Sequence, residues 1–144
     1  MPSTPRMDTR LLDRVAAERA QEMVDEAIKP NNIKAKQVDN LVTKALGVLQ
    51  ENGVYACFLF LFSRTRKEDQ DIGEVVREKL LHLAAEDLPF DWGLPRSMDA
   101  RTALPHISGA ICRELDPLLM TKQVFEQTLI YARYTAKARD KEGD

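Results

Sequence analysis

Histidine, cysteine, glycine and aromatic side chains are all scarce in this chain, and each scarcity closes off a class of function. Across 144 residues there are two histidines, His82 and His106, and two cysteines, Cys57 and Cys112. Neither histidine stands in an H-x-x-x-H or H-E-x-x-H arrangement and there is no C-x-x-C pair, so the spacings that build zinc or thiol redox centres are missing. The lone, widely separated cysteines suit a reducing, intracellular compartment better than the disulfide framework of a secreted protein. Six glycines, at 47, 53, 73, 93, 109 and 143, are scattered and form neither a P-loop nor a dinucleotide fingerprint. The longest apolar run is 54–62, nine residues, against about 20 for a membrane-spanning helix. Met1-Pro2-Ser3-Thr4-Pro5-Arg6 runs straight into a charged helical pattern with no apolar stretch of the signal-peptide kind. These absences lead us to expect a cytoplasmic protein with no catalytic residues, no metal, no cofactor, no small-molecule substrate and no membrane contact.

What is present reads as one ordinary domain over residues 1–144, with 1–6 and 140–144 expected to be flexible. The chain is 44% hydrophobic and 31% charged, and a chain of this size can bury roughly 68–70% of its unfolded surface without a disulfide or metal staple. Its 21 Lys plus Arg against 23 Asp plus Glu leave a formal charge of -2, so the whole chain is not a polycation. Any binding to nucleic acid must come from a local basic face.

Apolar periodicity predicts helices almost throughout. Over 7–28, Met7, Leu11, Val15, Met23 and Ala27, with Leu12, Ala16, Ala20 and Val24 beside them, recur at spacings of three and four, and Pro30 followed by Asn31 and Asn32 ends the pattern. A second helix is expected from about Asn32 to Gln50, stopped at Asn52-Gly53, with Gly53 in a left-handed C-terminal cap. Residues 54–62 are apolar on every side, which fits a buried helix or a buried strand. No second β-branched and aromatic run offers a partner, so helix is the reading. Residues 63–71 read as a surface loop. Asp71 and Glu74 have capping-box spacing for a helix to about Glu86. The prolines, glycine and tryptophan of 88–95 make an irregular connection. Ser97 or Asp99 caps a fifth helix through Arg113, kinked at Pro105, and Asp116-Pro117 opens a last helix to about Arg139. The expected fold is all-α, a compact bundle of five to six helices with no sheet.

Individual reactive groups read as structural. Cys57 lies inside the apolar run, where burial blunts a thiol, and Cys112 has no neighbouring histidine to act as base. The acidic residues fall on helical polar faces, where solvation accounts for them. Trp92 suits a plug over a core edge or an anchor in a partner interface.

Local charge is more informative than the total. Between 29 and 44, Lys29, Lys34, Lys36 and Lys44 face the single anion Asp39; between 121 and 139, Lys122, Arg133, Lys137 and Arg139 face only Glu126. At about 100° per residue, Lys122, Arg133 and Lys137 fall within roughly 60° of one another beside the stripe of Phe125, Leu129, Ala132 and Ala136. Such a face suits either solubility, with the usual cation bias at a helix C-terminus, or contact with a nucleic-acid backbone. The candidate nucleic-acid-binding residues are therefore Lys34, Lys36, Lys122, Arg133, Lys137 and Arg139.

Two stretches carry a resemblance. Residues 36–62, with Leu41-Val42-Thr43-Lys44-Ala45-Leu46, the break Glu51-Asn52-Gly53 and the apolar helix after it, resemble the small helical subunit of type III-B (Cmr) CRISPR effector complexes. Residues 117–139, with Leu129-Ile130-Tyr131-Ala132-Arg133-Tyr134 and a basic end, are similar to that family's last helix. The resemblance implies a non-enzymatic subunit of an antiviral ribonucleoprotein that stacks with copies of itself and lines the target RNA groove while larger subunits hold the guide and cut, its partners being those subunits, copies of itself and the guide RNA/target RNA backbone. It carries over Asn52, Gly53, Tyr131, Arg133, Lys137 and Arg139. The alternative is a helical adaptor or oligomeric scaffold that takes a protein partner in an apolar groove, with Phe58, Phe60, Phe62 and Trp92 as anchors.

Overall fold

The computed structural model describes residues 9–143, with side chains from residue 11 onward. Met7 and the segment 1–6 lie outside the described residues. The fold is all-α, with no strand among the described residues: α1 (Thr9–Ile28), α2 (Ala35–Asn52), α3 (Val54–Phe62), α4 (Lys67–His82), α5 (Ala100–His106) and α6 (Leu115–Lys141). Two π-helical turns, Leu83–Asp87 and Ile107–Ile111, continue α4 and α5. No described helix is long and apolar enough to cross a membrane.

One core joins these helices, and α6 is its spine. Val124, Phe125, Leu129, Ala132 and Ala136 on α6 are buried against α1 and α2, and Phe58 of α3 meets Phe125 edge to face at 6.0 Å. Fully burying a side chain of this size stabilises by about 1.5–3 kcal/mol. The buried threonines of α6 stay satisfied by bonding backward along the helix, Thr121 to the Pro117 carbonyl at 2.7 Å and Thr128 to the Val124 carbonyl at 2.8 Å. Side chains fix the helix directions. Tyr131 donates to Asp13 and Arg139 pairs with Asp25, so α1 runs parallel to α6. The Lys122 ammonium reaches the Gln50 carbonyl and Arg133 faces Asp39, so α2 runs antiparallel to it.

The far side of α1 is tied to α4 by charge. Lys79 reaches Glu22 and Glu26 at 3.2 and 2.5 Å, and Arg19 bonds Asp87 at 2.8 Å and Glu86 at 3.3 Å. Partial burial opposes the Arg19 charge, but the hydrogen bond and charge of Asp87, with Glu22 and Glu86, more than offset it and raise its pKa.

Several boundaries depart from the expected ones. The second helix starts at Ala35 instead of Asn32: Asn32 takes a left-handed φ of 52°, and the Lys34 N–H donates to Gln37 Oε1 at 3.1 Å. Gly53 does not form the left-handed cap; its φ of 97° and ψ of -175° place it in the extended region that only glycine enters readily. Its N–H closes α2 on Leu49 and its carbonyl opens α3 by accepting from Cys57, so two helices abut with a single residue between them. The expected loop 63–71 is shortened to 63–66. Lys67 pairs with Asp71 at 2.9 Å one turn on, and Glu68 and Asp69 favour the helix N-terminus electrostatically, so α4 begins four residues before the expected capping box. Asp99 does cap α5, accepting from the Thr102 N–H at 2.8 Å. Pro105 lies inside α5, and the ladder resumes beyond it in the wider π register. The last helix continues to Lys141, past the expected end at Arg139 and into the segment expected to be a flexible tail.

Candidate nucleic-acid interface

The antiparallel pairing of α2 and α6 leaves a groove of about 400 Å³ between them, lined by Asp39, Asn40, Thr43, Lys44, Arg133 and Lys137. Helical spacing sets its walls. On α2, Lys36, Asn40 and Lys44 follow one another at intervals of four and all are exposed, while Val38, Leu41, Val42 and Ala45 turn into the core. On α6, Arg133 and Lys137 repeat that interval beside the buried Leu129, Ala132 and Ala136. Three cations therefore face one anion across the groove. That anion is already engaged, because the Thr43 hydroxyl donates to Asp39 Oδ1 at 3.2 Å.

Arg133 is the unusual member. Five arginines are half-buried: Arg19, Arg64, Arg77, Arg133 and Arg139. Arg19 bonds Asp87, Arg64 and Arg77 donate to the carbonyls of Phe60 and Leu61, and Arg139 pairs with Asp25. Arg133 makes no hydrogen bond to any described residue: its Nε is buried and unpaired, and Asp39 Oδ1, at 3.9 Å, is beyond hydrogen-bond range. Leaving a buried donor unpaired costs about 1–3 kcal/mol. A partly exposed ion pair at this distance returns roughly 0–1 kcal/mol. The buried Nε is closed to a ligand, so an anion with hydrogen-bond acceptors would add through the terminal nitrogens of this partly exposed side chain, which make no hydrogen bond to a described residue.

The other sequence candidates are placed differently. Lys36 is exposed on α2 near the groove, and Lys34 is exposed at the start of the same helix. Lys122 stands eleven residues before Arg133, about 16 Å along the axis. There its ammonium lies 3.4 Å from the Gln50 carbonyl in the last turn of α2 and 4.0 Å from Glu126, a helix-capping duty. Arg139 points to α1 and Asp25. Tyr131 likewise joins α6 to α1, and its hydrogen bond to Asp13 raises its pKa. Single-helix reasoning missed Asn40, Thr43 and Lys44 as groove residues, although the 36, 40, 44 spacing was the available signal.

The aromatic anchors of the adaptor alternative are buried to different degrees. Phe58 is fully buried, and Phe60 and Phe62 are half-buried beneath the guanidiniums of Arg64 and Arg77, 3.8 and 4.1 Å above their rings. Trp92 stacks on Phe90 at 4.9 Å and packs on the core, as a plug does. Cys57 is buried and its S–H points to the Ala45 carbonyl at 3.6 Å; burial pushes the thiol up to about 12. Among the described residues no group of three or more His, Cys, Asp and Glu gathers as a metal site. Comparison with family models, with curated proteins and with solved structures finds no match for this chain.

Proposed function

We propose that this chain is a non-catalytic, cytoplasmic RNA-binding subunit whose α2–α6 groove takes the phosphate backbone of a strand. The observation that carries the reading is Arg133, the half-buried arginine whose donors are unused by the described residues, flanked by Lys44 and Lys137. Phosphate oxygens are the acceptors that suit such a fork. In this reading, which draws on the resemblance of residues 36–62 and 117–139 to the type III-B (Cmr) small subunit, the groove would serve in an antiviral effector ribonucleoprotein, beside guide RNA and target RNA, other subunits and copies of itself. Self-stacking is served by Leu115, Leu119 and Met120, which α6 exposes in its first two turns.

One subunit offers few phosphate contacts, so the isolated chain binds weakly and an array of copies binds well, because linked weak sites gain through effective concentration. Purification of the native protein with and without nuclease treatment tests the reading. Co-purifying short RNA of defined length, lost on nuclease treatment, supports it. A discrete protein partner without RNA overturns it in favour of the adaptor.

A further inference from the structure

Beside the groove, α6 exposes an aromatic ring that the core does not use. Tyr134 is 60% exposed, the most exposed of the chain's aromatic side chains among the described residues. Its one ring contact there is with the Arg133 guanidinium, 5.8 Å from the ring centroid, within the range of a cation–π interaction. At about 100° per residue, Tyr134 lies roughly 60° around α6 from Lys137 and roughly 20° from Lys141, both exposed. From 133 to 141 the helix carries Arg133, Lys137, Arg139 and Lys141 against Asp140 alone. An exposed ring of this size among cations does nothing for solubility, and the core is complete without it.

Resting on the nucleic-acid reading of the groove, we propose that Tyr134 is a stacking platform for a nucleobase, so that the site takes an unpaired strand in preference to a duplex. The phosphates run along Lys44, Arg133 and Lys137, and a base turned outward from that backbone lies on the Tyr134 ring. Cationic grooves with interleaved aromatic rings recognise single strands in this way, since every base offers a π-face. In a duplex both faces of each base are covered by its neighbours, so the ring gains nothing there.

The test is a nuclear magnetic resonance titration at low salt with three probes of equal length: a single-stranded oligouridine, the same backbone without bases, and an RNA duplex. Groove amides give the affinities and the Tyr134 ring protons report stacking. The oligouridine is expected to bind more tightly than the base-free strand and to shift the ring protons upfield. Tyr134→Ala is expected to lower oligouridine affinity by about five- to a hundredfold and to abolish the preference for oligouridine over the base-free strand. Tyr134→Phe is expected to retain the preference. Equal binding of both single strands by the wild type, preferential duplex binding, or an unaltered preference in Tyr134→Ala overturns the stacking role and leaves the groove reading standing. If no probe moves the groove amides, the groove reading fails and the stacking role with it.

Discussion

Replacing Gly53 with alanine isolates a backbone cost from a packing cost. A Cβ built on Gly53 meets nothing within 4 Å, so no clash contributes. What opposes the substitution is the backbone itself, held at φ 97° and ψ -175° between two helices that abut. Residues with a Cβ held in that region cost on the order of 1–3 kcal/mol. Gly47 provides the control: it lies within α2, its Cβ also meets nothing, and alanine there is expected to add roughly 0.5–1 kcal/mol through helix propensity. Gly73 separates the third case. Its Cβ would stand 3.0 Å from the Leu61 backbone oxygen, where α3 and α4 approach closely, so Gly73→Ala is expected to lose stability by overpacking, about 1–3 kcal/mol. Urea unfolding followed by circular dichroism reads all three, with thermal midpoints moving about 2–4 °C per kcal/mol for a chain near this size. A Gly53→Ala protein as stable as the wild type, alongside a stabilised Gly47→Ala, would refute the assignment of strain to the α2–α3 junction.

Two further expectations concern titration and reactivity. A hydrogen bond from His82 at 2.7 Å, with the charges of His82 and Arg19, holds Glu86 below the usual carboxylate range. The unfolded chain takes up that proton first, so the contribution is present above the unfolded pKa and lost as pH falls through the folded one. The stability gap between wild type and Glu86→Gln is therefore expected to be present above the unfolded carboxylate pKa and to close in acid; a gap that persists unchanged through the acid range would contradict this. With a thiol-specific disulfide reagent, half-buried Cys112 is expected to react in the native state and Cys57 only at the rate of global unfolding, because its thiol is both buried and held up to about 12. Rapid modification of both would contradict the burial of the α3 face that carries Val54, Cys57, Phe58 and Leu61.

Helix existence was legible because the apolar stripes repeat over many residues, and 54–62 became a helix because no strand partner existed for it. The boundaries were less legible where a weak local pair decided them. Lys67 with Asp71 starts α4 a turn before the better-known capping box, and Pro105 diverts the chain into a π turn that periodicity does not encode. At the candidate interface, the wheel correctly put Arg133 and Lys137 on one face of α6. It also put Lys122 there, because a single helix carries no information about what its neighbours do; α2 ends beside Lys122 and takes its ammonium. Arg139 is likewise taken by Asp25 of α1, and Lys44 enters the site only through the antiparallel pairing of α2 with α6.

The central claim is that the α2–α6 groove binds a nucleic-acid backbone through Arg133 and Lys137. Its most direct test is single-stranded RNA binding, across a range of salt concentrations, to the protein arrayed densely on a sensor surface. Wild type is compared with Arg133→Ala combined with Lys137→Ala. Each phosphate contact contributes about -0.7 to the slope of log affinity against log salt, so loss of two is expected to weaken binding and to flatten the slope by about 1.4. A double variant that keeps both affinity and slope would show that these cations only solubilise the surface, and the groove would lose its assigned role.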